Sequence, residues 1–153
     1  MDIRYRRFSI GVIVAVTAVG AMFGALTGAV YASSFWWAAA IAGALCGYPL
    51  AKFYLNSLMS SSAKRHSEFA TWAQGTFVAI LCGMACTAVL HGMMMVISYA
   101  IGPSPGTELE AVSIWPIILM FGEAIGAAAG LVVGGICSLV YLFSVKASGH
   151  EIP

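Results

Sequence analysis

Apolar residues come in four long runs separated by short polar breaks. The runs are "FSIGVIVAVTAVGAMFGALTGAVY" at 8–31, "FWWAAAIAGALCGYPLAKFYL" at 35–55, "ATWAQGTFVAILCGMACTAVLHGMMMVISYAI" at 70–101 and "SIWPIILMFGEAIGAAAGLVVGGICSLVYLF" at 113–143. Each meets or exceeds the roughly 20 residues that a helix needs to cross the hydrocarbon of a bilayer. The pattern predicts an all-α fold, a polytopic membrane protein built as a four-helix transmembrane bundle, with residues 1–153 forming one domain. The last two runs are long enough to tilt, or to carry a turn or two into the headgroups.

Aromatic residues mark the predicted ends. Phe35, Trp36 and Trp37 open the second run, Trp72 the third and Trp115 the fourth, as expected of side chains that favour the membrane interface. Pro116 is expected in a first helical turn, where its missing N–H costs nothing. Pro49 falls inside the second run and predicts a kink there, or a helix that stops and restarts.

Composition narrows the class. Apolar residues make up 61% of the chain and charged residues 8%, whereas a soluble domain carries about 25% charged residues. The net charge of +1 supplies no global field to attract nucleic acid. Cys46, Cys82, Cys86 and Cys137 all sit within apolar runs. That placement reads as soft packing rather than as a secreted disulfide framework.

The charges set a direction. Arg4, Arg6, Arg7, Lys52, Lys64, Arg65 and Lys146 fall on one side if the N-terminus is cytoplasmic. The outer loops, 32–34 and 102–112, then hold no Lys or Arg, and Glu108 and Glu110 lie outside. This positive-inside bias predicts that both termini are cytoplasmic and that the bilayer is the cell's inner (plasma) membrane. The serine-rich segment 56–69 is expected as a solvated inner loop; the competing reading is a contact with anionic lipid or a cytoplasmic partner. The start of the chain resembles a secretory signal ending near Ala32. Its apolar run is about twice the usual length, so it is expected to stay as an anchor.

Small residues recur every fourth position on three runs: Gly20, Gly24 and Gly28; Ala39, Gly43 and Gly47; Gly122, Gly126, Gly130 and Gly134. Such spacing puts each set on one helix face. In lipid, close backbone approach through small residues supplies the contact that hydrophobicity does not. The ladders predict tight packing, either within the chain or against copies and other membrane subunits. "IAGALCG" at 41–47 also resembles "VVGGICS" at 132–138, a short match consistent with two copies of one hairpin.

One acid, Glu123, lies inside the fourth run. It is about eight residues from Trp115, or roughly 12 Å along a helix. It borders the glycine face, and an ionised carboxylate turned to lipid costs at least a few kcal/mol. His91 on the third run is expected at a similar depth, on a face with Gly83, Met84, Thr87, Met94, Met95 and Ser98. Three readings compete for the pair: a structural polar contact, a proton or cation site, or a metal site completed by Met93, Met94, Met95 and Met120. Cys82 and Cys86 point away from His91 and do not complete such a set.

The expected function is therefore non-enzymatic: a tightly packed subunit or accessory component of a membrane assembly, with the bilayer and copies or other subunits as partners, and with no cofactor, metal or nucleic acid. The alternative is a small oligomeric transporter or channel in which Glu123 and His91 carry a proton or cation.

Overall fold

The computed structural model describes residues 3–31, 36–63, 67–101 and 108–144. They form four α-helices: α1 (Ile3–Tyr31), α2 (Trp36–Ala63), α3 (Glu68–Ile101) and α4 (Glu108–Ser144). All four are long and apolar enough to cross a membrane.

The helices outrun the apolar runs. α1 takes in Arg4, Arg6 and Arg7, and α2 continues through the serine-rich segment to Ala63. The inner loop expected at 56–69 is thus mostly helix. Once a helix exists, each added residue closes another backbone hydrogen bond, whether or not its side chain is apolar. α3 restarts with a cap, in which Ser67 Oγ accepts from the Ala70 N–H at 3.2 Å. α4 begins at Glu108 rather than 113, so part of the expected outer loop is helix. Of the expected outer loops, 32–34 and 102–107 lie outside the described residues, as do Lys64, Arg65 and Lys146.

The structure narrows the expectation at one proline and corrects it at the other. Pro49 lies within an α2 that runs unbroken on either side, so the helix does not stop and restart. Pro116 is well inside α4, not in its first turn. Each removes one backbone hydrogen bond, a loss that a bundled helix tolerates when neighbouring groups compensate.

The helices pair as two antiparallel hairpins, α1–α2 and α3–α4. In the first, a Cβ on Gly20 would strike the Gly43 carbonyl, one on Gly24 the Ala39 carbonyl, and one on Gly28 the Trp36 backbone at 2.6 Å. Gly47 faces Val16 and Thr17. In the second, Gly126 meets Gly83, Gly130 meets the Ala79 carbonyl, and Gly134 meets the Ala79 side chain. The glycine faces are therefore covered by the chain's own helices. Gly43 and Gly134, the positions aligned by the short internal match, both face the first helix of their hairpin.

The hairpins meet mainly through α2 and α3. At the end carrying Arg4, Arg6 and Arg7, side chains from three helices close the bundle: Tyr5 and Val12, Tyr54, Leu55 and Leu58, and Tyr141. Phe8 tilts against Tyr141 with ring centroids 5.5 Å apart. The Tyr5 hydroxyl donates to Met59 Sδ at 2.6 Å. Tyr54 crosses the seam and donates to the Gly134 carbonyl at 3.2 Å; its oxygen also lies 2.8 Å from Ser138 Oγ. With its one proton directed to the carbonyl, the phenol accepts from the serine. Tyr141 is fully buried, yet its hydroxyl has no hydrogen-bond partner among the described residues.

These contacts separate two tyrosines of similar burial. Tyr54→Phe leaves Gly134 and Ser138 short of a partner and is expected to lower unfolding free energy by about 1–3 kcal/mol. Tyr141→Phe removes a hydroxyl that bonds nothing and is expected to be neutral or stabilising by up to about 1 kcal/mol. Unfolding titrations in mixed detergent check both, and equal losses would contradict the hydrogen-bond assignment. The glycines divide in the same way. Gly43→Ala must push α1 from α2 and is expected to cost about 1–3 kcal/mol. Gly11→Ala, with nothing within 4 Å of its Cβ position, should gain up to about 1 kcal/mol from helix propensity.

Candidate functional site

Gly83, Thr87 and His91 follow one another at four-residue steps along α3 and face α4. Thr87 Oγ1 donates back to its own helix, lying 2.8 Å from the Met84 carbonyl oxygen and 3.2 Å from that of Gly83. This turns the side chain against Gly126, whose missing Cβ leaves room for it. One turn further, His91 is buried, with 7% of its surface exposed.

The imidazole is held on two sides. His91 Nδ1 lies 2.8 Å from the Thr87 carbonyl oxygen. A carbonyl can only accept, so Nδ1 carries the proton. The ring lies over Gly122 of α4: a Cβ at that position would collide with Cε1 and lie 2.9 Å from Nε2. Glu123 is the next residue and is half-buried. The structure thus brings the imidazole to the α4 segment that carries the acid.

The methionines do not gather there. Met120 is 72% exposed, and Met93 and Met95 are also exposed, while the imidazole is packed inside the hairpin. The side chains of Met94 and Ser98 lie outside the described residues. Among the described residues, no three His, Cys, Asp or Glu side chains are grouped to hold a metal ion.

A cavity of about 70 Å³ lies between the hairpins at mid-height. Val16 and Phe23 of α1, Leu50 and Tyr54 of α2, and Val133 of α4 contribute to its wall. Neither His91 nor Glu123 lines it. Three thiols do: Cys82, Cys86 and Cys137. Read one by one, the cysteines are packing residues. The four-residue spacing of Cys82 and Cys86 was the one sequence signal that two of them share a face.

Gly122 gives this site its handle. Gly122→Ala places a methyl group where the imidazole lies, so the ring must move and the Thr87 contact must lengthen. The expected cost is about 1–3 kcal/mol, with a changed ¹⁵N shift for His91 Nδ1. Gly135→Ala, on the same helix with open space at its Cβ, should leave the His91 shift unchanged and carry no such cost. An unchanged His91 spectrum in the Gly122 variant would refute the ring placement. Compared with protein-family models, with curated proteins and with solved structures, the chain matches none.

Proposed function

We propose that this chain is an integral protein of the cell's inner membrane, inserted with both termini cytoplasmic, and that it serves as a packed, non-enzymatic component of a membrane assembly. Its glycine ladders act as the packing device of each hairpin. The observation that carries this reading is the setting of the imidazole. It is buried, tied to the Thr87 carbonyl, seated on Gly122 and absent from the cavity wall. A side chain so placed joins two helices. In this reading Glu123 completes the polar contact within the second hairpin.

The same geometry directs where partners bind. Because the ladders are covered inside the chain, copies or other subunits meet the outward apolar faces. Phe69 and Phe77 of α3 and Met120, Phe121 and Phe143 of α4 are among the exposed residues there. Acyl chains cover whatever the partners leave.

One observation favours a second reading, proton-linked transport by an oligomer. The Nε2 edge of the ring faces α4 at Gly122, the residue before Glu123.

Glu123→Gln in purified protein, reconstituted into vesicles, separates the two. In the assembly reading, wild-type vesicles hold a pH gradient as well as empty ones do. The variant then loses stability or subunit association. In the transport reading, wild-type protein dissipates the gradient and the variant stops it while staying assembled. Wild-type flux at least tenfold above empty vesicles, abolished by Glu123→Gln, would overturn the assembly reading.

A further inference from the structure

The seam between the hairpins has a readable register. α2 presents Cys46, Leu50, Tyr54 and Leu58 at four-residue steps, which places them along one inclined row. Leu58 packs where a Cβ on Gly75 of α3 would stand, at 2.8 Å. Two turns along α2, the Cys82 thiol points at the Leu50 carbonyl oxygen, 4.0 Å away. α2 and α3 run in opposite directions, so as the numbers fall on α2 they rise on α3. One more turn is about 6 Å on either helix. It carries Leu50 to Cys46 and Cys82 to Cys86. Cys86 also lies within electrostatic reach of Cys46. Both thiols are free, and both are half-buried.

We propose that Cys46 and Cys86 form a thiol pair across the inter-hairpin seam and are a site of oxidative modification that closes to a disulfide. The bond would join the two hairpins covalently, one turn beyond the Leu50–Cys82 contact, on the side of the cavity away from the Tyr5–Tyr54–Tyr141 cluster. With a peroxide as oxidant, one cysteine, deprotonated to its thiolate, attacks a peroxide oxygen; the O–O bond breaks, the departing hydroxide takes up the proton the thiol released, and a sulfenic acid and one water result. The second thiol attacks the sulfenic sulfur. The S–O bond breaks, the S–S bond forms, and a second water leaves with the thiol proton. Two electrons pass from the sulfurs to the peroxide, and hydrogen peroxide is consumed in equal amount.

Position makes this pair different from the others. Cys82 and Cys86 share a helix at a spacing that rarely suits a disulfide. Cys46 and Cys86 belong to different hairpins, and the seam between these hairpins encloses the cavity. A bond there converts a seam held by side chains into a fixed one. Reduction returns it.

The test uses the full chain in detergent. Hydrogen peroxide, and separately diamide, is added to the folded protein. Remaining thiols are blocked with maleimide under denaturing conditions, and the chain is digested with trypsin. Cleavage after Lys52, Lys64 and Arg65 puts Cys46 and Cys86 on different peptides. Two of the four cysteines are expected to lose maleimide reactivity, and the two peptides to appear joined at a mass two hydrogens below their sum. Cys46→Ser and Cys86→Ser should each abolish the link, while Cys82→Ser and Cys137→Ser keep it. The midpoint of thermal unfolding should rise on oxidation of the wild type and not of Cys46→Ser. Circular dichroism of the reduced variants guards against misfolding. Four reactive thiols after both oxidants would overturn the proposal. So would a link that survives Cys46→Ser, or one found only between two chains.

Discussion

Backbone meets backbone inside each hairpin, and the remaining contacts take their places from that. Gly20 and Gly43 stand so close that either carbonyl occupies the space of the other's missing side chain. Gly83 and Gly126 do the same in the second hairpin. A contact of this kind tolerates little sliding, because a shift of one position brings a side chain against a carbonyl. It fixes register as well as distance. For helices surrounded by lipid this matters more than in water, since acyl chains solvate leucine as well as another helix does. The small buried core agrees: many large apolar side chains remain on the outside.

Between the hairpins the interaction has another character. No glycine row draws α2 and α3 together. The seam is instead made by a row of side chains from α2, closed at one end by Tyr5, Tyr54 and Tyr141 and left with an apolar cavity at mid-height. Packing is tight within hairpins and looser between them. The seam is also where three of the cysteines face the cavity.

The polar residues of the second hairpin follow from its register. Thr87 fits at Gly126 and the imidazole at Gly122 because each glycine removes the atom that would occupy that space. The Thr87 carbonyl then selects the ring's tautomer. Thus one α3 face, reading Gly83, Thr87, His91, is complementary to one α4 face, reading Gly126 and Gly122.

The sequence alone determined four apolar helices, because crossing length and hydropathy are properties of a run and need no partner. It determined the glycine faces too, since a four-residue period is local. It misplaced the helix ends: Arg4, Arg6 and Arg7 fall before the first apolar run and the serines after Asn56 look like solvated loop, yet they extend helices through backbone bonds that hydropathy does not register. It put Pro116 in a first turn for the same reason. Only the tertiary structure decided which face each ladder meets, that His91 lies on Gly122, that the thiols gather at a cavity, and that one tyrosine hydroxyl is bonded and another is not. These are relations between residues far apart in the chain. They are set by the register of two backbones in contact, a quantity no single run of sequence contains.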